Sequence, residues 1–417
     1  MSRRKSFLQR LGPGFITGAS DDDPSGIATY AQTGAQFGYR QLWASLYTLP
    51  FMIAVQEMCG RIGLVTGKGL AGVIRKHYSR PLLYTAAVLL LVANTVNIGA
   101  DLGAMASAAE LVTGLPFVTW LLGMTVVTLV LEVFVSYRVY ARYLKYLTLS
   151  LLAYVVTALA IAQDWPAAFA ATLIPTFTFS KDSIMNLVAF LGTTISPYLF
   201  FWQASEEVEE EVAEGKLRTM GMGKPHIDET DMRNMRIDTV LGMTFSNLVT
   251  FFIIVTAAST LHRHGITQIN TAVDAARALE PVAGSYAALL FALGIIGTGL
   301  LAVPVLAGSA SYALAEALDW KEGLYRKFRD AHGFYGIITL ATVAGLLVNF
   351  IGVPPFRMLY AAAILNGIIA PPLLLIILLI ANDRRIMGRQ VNNSLSNVLG
   401  SLITLLMALA AVALFVL

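Results

Sequence analysis

The chain has 417 residues, of which 56% are hydrophobic and 13% are charged. Soluble globular domains carry about 25% charged residues, so the composition excludes that class and predicts an all-α polytopic membrane protein. The net charge is +3 at pH 7. Because the basic residues are spread over many loops and not gathered on one face, no nucleic-acid partner is expected.

Apolar segments of about 20 residues, the length that crosses a bilayer, recur along the whole chain. We predict about 11 transmembrane helices in a single membrane domain over residues 1–417. Their approximate bounds are 11–37, 42–66, 82–111, 117–136, 143–162, 184–205, 237–261, 286–316, 334–351, 356–381 and 395–417.

Lysine and arginine residues precede span one and follow every even-numbered span, whereas the other loops are poor in them. The positive-inside rule therefore predicts a plasma-membrane protein with a cytoplasmic N-terminus and an external C-terminus. No cleavable signal peptide is expected. The first of these basic residues are Arg3, Arg4, Lys5, Arg10, Lys68, Arg75, Lys76, Arg80, Arg138, Arg142 and Lys145.

Polar residues around a proline interrupt two spans. The break in span one is Ser20-Asp21-Asp22-Asp23-Pro24-Ser25-Gly26, and the break in span six is Thr193-Thr194-Ile195-Ser196-Pro197. Breaks five spans apart predict two inverted five-helix repeats, about 11–162 and about 184–381, followed by an additional helix at about 395–417. The alternative is that both prolines merely kink their helices.

Three adjacent carboxylates in the first break indicate a functional role for the break, because each charge near the midplane costs at least about 2.5 kcal/mol. Carboxylate, hydroxyl and carbonyl oxygens suit hard divalent cations such as Mg²⁺ and Mn²⁺. Asp23 is the leading predicted ligand. The other residues predicted at the metal site are Asp22, Ser20, Gly26, Thr193 and Ser196. Asp21, Ser25 and Tyr198 are predicted to line the pathway or a second shell. The hydroxyl residues could equally be small residues at helix contacts.

Asp101 lies deep in span three, about one turn after Asn97 and on the same helix face. It is a candidate for the cation pathway or, alternatively, for a hydrogen bond that joins two helices. The acidic run that begins at Glu206 is interpreted as a solvated extension of span six, with a cation-attracting vestibule as the alternative.

Cys59 is the only cysteine, which excludes an internal disulfide and a multi-thiolate metal site. No histidine is predicted at membrane depth. The five histidines, all in loops or at span ends, are His77, His226, His262, His264 and His332.

Several motifs resemble the Nramp family of divalent-metal transporters. They are Gly12-Pro13-Gly14-Phe15, Asp23-Pro24-Ser25-Gly26, Gly34-Ala35-Gln36-Phe37-Gly38-Tyr39 and Gln56-Glu57-Met58-Cys59-Gly60-Arg61. The likeness extends over essentially the whole chain. It implies the inverted-repeat fold of the amino-acid/sodium symporters, alternating access, and a metal bound between the breaks, with backbone carbonyls of Ser20 and Thr193 among the ligands.

The departures from the family pattern concern the metal site itself. The family motif Asp-Pro-Gly-Asn here ends in Gly26, and the family motif Met-Pro-His here reads Ser196-Pro197-Tyr198. Without the thioether, a site of oxygen ligands has no reason to prefer softer transition metals. Smaller residues should also leave room for a partly hydrated Mg²⁺. These changes resemble the Nramp-related magnesium transporters.

Two residues that belong to the family's proton route are also replaced in this chain. The family's Asp-Leu-Ala-Glu in span three is Asp101-Leu102-Gly103-Ala104 here, and the histidine of span six is Tyr198. We therefore predict that the protein takes up Mg²⁺, and also Mn²⁺, as transported substrates without proton coupling. It is expected to act as a monomer and to need no cofactor.

The nearest alternative is a proton-coupled Mn²⁺ or Fe²⁺ transporter. A metal-dependent intramembrane enzyme would need a zinc-binding set such as His-Glu-x-x-His, and none occurs in the sequence. An amino-acid symporter of the same architecture would present helix N-termini to a substrate carboxylate, which the aspartates would repel.

Overall fold

The structure, a computed structural model, describes residues 12–135 and 151–416. Within these ranges the regular secondary structure is helical apart from an isolated β-bridge between Thr219 and Met222. The helices of eight or more residues are α1 (Pro13–Asp21), α2 (Pro24–Phe37), α3 (Trp43–Thr66), α4 (Leu70–His77), α5 (Arg80–Thr113), α6 (Phe117–Phe134), α7 (Leu152–Ala160), α8 (Trp165–Leu173), α9 (Lys181–Thr194), α10 (Pro197–Ala213), α11 (Glu229–Thr260), α12 (Ala287–Leu318), α13 (His332–Val348), α14 (Pro355–Asn382) and α15 (Ser394–Val416).

Eight helical segments in the described ranges are long and apolar enough to cross a membrane. They are Arg80–Thr113, Phe117–Phe134, Lys181–Ala213, Glu229–His264, Ala272–Leu318, His332–Ile351, Pro355–Asn382 and Ser394–Val416. The all-helical membrane fold is therefore confirmed. The total of 11 spans stays a prediction, because part of span five lies outside the described residues. The basic residues Arg3, Arg4, Lys5, Arg10, Arg138, Arg142 and Lys145 also lie outside them.

Both predicted breaks are confirmed. The first separates α1 from α2, which begins at Pro24, and the second separates α9 from α10, which begins at Pro197. Proline has no N–H and clashes with the preceding turn, so it ends the upstream helix, while its fixed φ suits the first position of the next one. Asp23 and Ser196 are the extended residues just before these prolines.

Glycines let the broken helices approach their neighbours closely. A Cβ at Gly18 of α1 would lie 2.3 Å from backbone atoms of Gly242 in α11. A Cβ at Gly192 of α9 would lie 2.1 Å from the carbonyl oxygen of Ala363 in α14. Such backbone contact between small residues is a common way in which membrane helices pack, and it fixes the upstream half of each break against one neighbour.

Gly18→Ala is expected to destabilise the protein, since the added methyl meets backbone that cannot rotate away, and overpacking of this kind costs about 1–3 kcal/mol or more. Gly123→Ala in α6 is the matched control, because nothing lies within 4 Å of a Cβ there. Thermal unfolding in detergent should give a lower midpoint for Gly18→Ala and an unchanged or raised one for Gly123→Ala. Equal midpoints would contradict close contact between α1 and α11.

Candidate metal site

Asp23 caps the N-terminus of α2 with one carboxylate oxygen. Its Oδ1 accepts hydrogen bonds from the backbone N–H of Gly26 at 2.6 Å and from the Ser25 hydroxyl at 2.7 Å. The residue is buried, with 1% of its surface exposed. Oδ1 of Asp23 therefore has a structural role as the N-cap of α2, and only Oδ2 faces other helices.

The second oxygen of Asp23 is reached from two spans. Asn97 of α5 donates its Nδ2 hydrogen to Oδ2 at 3.0 Å, and the hydroxyl of Tyr198 of α10 lies 3.4 Å from the same atom. The Tyr198 hydroxyl also lies 3.0 Å from the carbonyl oxygen of Ser20. Since a phenol has a single hydrogen, it serves these two acceptors alternately. Tyr198 thus joins the two breaks.

Thr193 and Gly26 face each other across the breaks. A Cβ at Gly26 would lie 3.2 Å from Thr193 Oγ1 and 3.1 Å from the carbonyl oxygen of Asp21. Ser196 turns its hydroxyl back onto α9, where it lies 2.8 Å from the carbonyl oxygens of Gly192 and Thr193. The expected extra room beside Gly26 is not open in this conformation, because Thr193 and the ring of Tyr30 fill it.

Asp21 and Asp22 face a different helix from Asp23. The hydroxyl of Ser246 in α11 donates to Asp21 Oδ2 at 2.7 Å and lies 3.3 Å from Asp22 Oδ1. Asp21 Oδ1 and Asp22 Oδ2 are buried and have no hydrogen-bond partner. The structure therefore does not direct Asp22 to the same place as Asp23, whose partners lie on α5 and α10.

Asp101 is fully buried, and neither of its carboxylate oxygens has a hydrogen bond of good geometry. The backbone N–H of Ser25 and the carboxylate of Asp23 are close enough to interact with it electrostatically. Asp101 therefore lies beside the break, and its place in the cation pathway stays a prediction. The approach of the Ser25 N–H from α2 is consistent with the alternative, a hydrogen bond that joins two helices.

The donor set of the site is mainly oxygen from the backbone and from single side chains. Among the described residues, no three Asp, Glu, His or Cys side chains converge as a metal site. A metal ion next to Asp23 would therefore also use carbonyls at the C-terminal ends of α1 and α9, where the last carbonyls have no intrahelical N–H partner and the helix dipole is negative. The unpaired Oδ1 of Asn97 is a further oxygen within reach.

Sequence analysis missed the part played by Asn97, which it placed only on the helix face of Asp101. It also missed Ser246 and Tyr30. Asparagine, serine and tyrosine within apolar spans are common at helix contacts, so single occurrences carry little signal. Only the packing of α5 and α11 against the first break brings these residues to the aspartates.

The acidic run of α10 is not the solvated helix that the sequence suggested. Glu206, Glu207, Glu209 and Glu211 are buried. Tyr312 of α12 and the backbone N–H of Leu324 both donate to Glu209. In the loop after α12, burial and the neighbouring Glu316 raise the pKa of Glu322 well above its usual value. The interpretation fails because charge alone does not reveal that α12 and its following loop cover this end of α10.

A separate carboxylate holds the start of the first broken span. Asp238 of α11 accepts hydrogen bonds from the backbone N–H groups of Gly12, Gly14 and Phe15, at 3.0, 2.7 and 3.2 Å. These are the unpaired donors at the N-terminus of α1, and a negative charge is favourable there. Together with the contact at Gly18, this cap fixes α1 along α11.

Paired broken helices that face each other define a class of membrane transporters in which the substrate lies at the breaks. The fold agrees with that class. The chain matches Mhp1, a nucleobase-cation-symport-1 family transporter, in a closed conformation, with a TM-score of 0.58 at 14% identity over 97% of this chain and 91% of that one. It matches the Eremococcus coleocola manganese transporter with a TM-score of 0.76 at 15% identity, covering 99% and 87%.

The sequence identifies the family within that class. Residues 14–417 match the family model of the natural resistance-associated macrophage protein-like proteins, Nramp, so the chain belongs to the Nramp family. The divalent metal cation transporter MntH of Mycobacterium leprae is 26% identical, over 98% of this chain and 92% of the relative. A protein of the same name from Klebsiella pneumoniae is 27% identical, over 93% and 89%.

Proposed function

We propose that this protein carries divalent metal cations across the plasma membrane, taking up Mg²⁺ and also Mn²⁺ by alternating access between two inverted repeats. In the proposed arrangement it acts as a monomer with a cytoplasmic N-terminus and an external C-terminus. The relatives support the metal class, since they are named divalent metal cation transporters or a manganese transporter. The proposed preference for Mg²⁺ places the chain in the Nramp-related magnesium transporter branch.

The observation that carries this proposal is the chemistry around Asp23. Its surroundings are the amide of Asn97, the phenol of Tyr198 and the carbonyl oxygen of Ser20. Ser196, in the place of the family's methionine, has a hydroxyl that contacts backbone carbonyls. Oxygen donors without a thioether suit both Mg²⁺ and Mn²⁺.

The residues that replace the family's proton carriers support transport without protons. Tyr198 takes the place of a histidine, and a phenol does not exchange its proton readily near neutral pH as imidazole does. The membrane potential is sufficient as a driving force. At 100 mV, inside negative, a dication gains about 4.6 kcal/mol on moving inward, twice the value of about 2.3 kcal/mol per charge.

Proteoliposomes that contain the purified protein and an internal pH indicator test the function. We expect Mg²⁺ and Mn²⁺ to enter and to compete with each other, and the internal pH to stay constant during uptake of either ion. Empty liposomes give the indicator signal without proton entry, and liposomes with a proton ionophore give the signal for free proton entry. Acidification with Mn²⁺, together with no uptake and no competition by Mg²⁺, would overturn the proposal.

That opposite outcome describes the second candidate, a proton-coupled Mn²⁺ or Fe²⁺ transporter. The manganese transporters among the structural neighbours favour it. So does Asp101, a buried carboxylate next to Asp23, because carboxylates within spans serve as proton relays in many transporters. Since the two candidates differ in the pH signal and in Mg²⁺ uptake, the liposome experiment separates them.

A further inference from the structure

We propose that Asp21 and Asp22 form a second divalent-cation site, distinct from the Asp23 site and located between the first break and α11. The proposal rests on the proposed function for the class of ion. It concerns a different group of side chains, which we call the α11-side cluster: Asp21, Asp22, Ser246, Tyr30 and Thr250. All five are buried, with at most 1% of their surface exposed.

The α11-side cluster contains two carboxylate oxygen atoms that have no hydrogen-bond partner. Ser246 has one hydroxyl hydrogen, and it serves Asp21 Oδ2 at 2.7 Å in preference to Asp22 Oδ1 at 3.3 Å. The unpaired atoms are Asp21 Oδ1 and Asp22 Oδ2. The Tyr30 hydroxyl is close enough to both carboxylates to interact with them, and it lies within hydrogen-bonding reach of Thr250. Buried polar atoms are rarely left unpaired, so this concentration indicates a missing partner.

The charges favour a cation as that partner. Asp21, Asp22, Asp23 and Asp101 are four buried carboxylates, and no ion pair with a basic side chain is found for them in the described residues. One divalent cation at Asp23 balances two negative charges. A second divalent cation at Asp21 and Asp22 balances the other two, in a region where each uncompensated charge costs at least about 2.5 kcal/mol.

The donors also select the kind of ion. Two carboxylates and three hydroxyls are hard oxygen ligands, the set that suits Mg²⁺, Mn²⁺ and Ca²⁺. A monovalent ion would leave one of the two negative charges unbalanced. The C-terminal end of α1 lies at Asp21, and the negative end of the helix dipole adds to the attraction for a cation.

The two sites lie on opposite sides of the first break. Asp23 contacts α5 and α10 through Asn97 and Tyr198, whereas Asp21 and Asp22 contact α11 through Ser246. Because the carboxylates are adjacent in sequence, two bound dications repel each other. Repulsion between neighbouring occupied sites promotes release of one ion, as it does in multi-site channels. The second site would then help to empty the Asp23 site.

Anomalous scattering from crystals of the full chain soaked in Mn²⁺ tests the proposal. The wild type is expected to give two peaks, one at Asp23 and one at the α11-side cluster, and excess Mg²⁺ should remove both. Ser246→Ala, which keeps both carboxylates, should lower occupancy of the second peak at least twofold. Asp21→Asn combined with Asp22→Asn should remove that peak and keep the one at Asp23. Asp23→Asn should do the reverse.

The wild-type measurement needs no variant, so misfolding cannot obscure it. A single Mn²⁺ peak at Asp23 in a protein that transports would overturn the second site and leave the proposed function intact. Uptake that requires sodium, with no Mn²⁺ peak at the cluster, would likewise overturn the divalent assignment. No peak at either site in a protein that does not transport would instead be a failure of the proposed function.

Discussion

Asp23→Asn is expected to abolish uptake of Mg²⁺ and Mn²⁺, with initial rates at least 100-fold below those of the wild type. The amide keeps an oxygen that can cap α2 in place of Oδ1, so the local hydrogen bonds from Gly26 and Ser25 can be retained. It removes the negative charge and puts an amide N–H in the place of Oδ2, toward which Asn97 can turn its unpaired Oδ1. A hard cation that leaves water at membrane depth needs an anionic ligand to offset its dehydration.

Two controls accompany this measurement. Asp182→Asn makes the same chemical change at an exposed position in the first turn of α9, away from the breaks, and it should transport like the wild type. Thermal unfolding of Asp23→Asn should give a midpoint at or above that of the wild type, because a buried charge is removed. Normal Mg²⁺ flux in the folded Asp23→Asn variant would exclude Asp23 as a ligand.

The sequence predicts those features of the fold that depend on local chemistry. Pro24 and Pro197 lie among small polar residues and begin a new helix, whereas Pro50, Pro304, Pro371 and Pro372 lie inside continuous helices. Proline together with its polar neighbours therefore placed both breaks from the sequence. Asp23 could be placed too, because Asp followed by Pro is a typical start of a helix. Each of these features depends on a few adjacent residues, and none depends on which helices become neighbours.

The remainder of the site depends on packing between distant segments. Asn97 reaches Asp23 over 74 positions, and Ser246 reaches Asp21 over 225. Asp21, Asp22 and Asp23 are adjacent in the chain, yet they face different helices because the chain leaves its helical path at Asp22, where φ is −83° and ψ is 50°. A sequence pattern gives the number of carboxylates in the break but not the helix that each one faces.

The packing also changes how the loss of the family's asparagine should be interpreted. Gly26 was expected to enlarge the site, but in this conformation it allows Thr193 of α9 and Tyr30 to come close instead. The small residue therefore permits contact between the two breaks. In the proposed alternating-access cycle, space for a hydrated ion would come from movement of α9 and α10 relative to α1 and α2.

The second prediction concerns selectivity. Ser196→Met returns a thioether to the place where the family has one, and it also frees the carbonyl oxygens of Gly192 and Thr193 from the serine hydroxyl. Sulfur binds soft ions such as Cd²⁺ and contributes little to Mg²⁺. We expect the ratio of Cd²⁺ to Mg²⁺ uptake to rise at least tenfold, which corresponds to about 1.4 kcal/mol of differential binding.

Ser196→Leu is the matched control for size. Leucine fills about the same space as methionine and removes the same hydroxyl, but it has no metal ligand. It should lose Mg²⁺ uptake without gaining Cd²⁺ uptake, so the difference between the two variants isolates the sulfur atom. Equal behaviour of Ser196→Met and Ser196→Leu, with Mg²⁺ uptake retained in both, would mean that position 196 does not face the ion. The hardness of the site would then depend on Asp23, Ser20 and Thr193 alone.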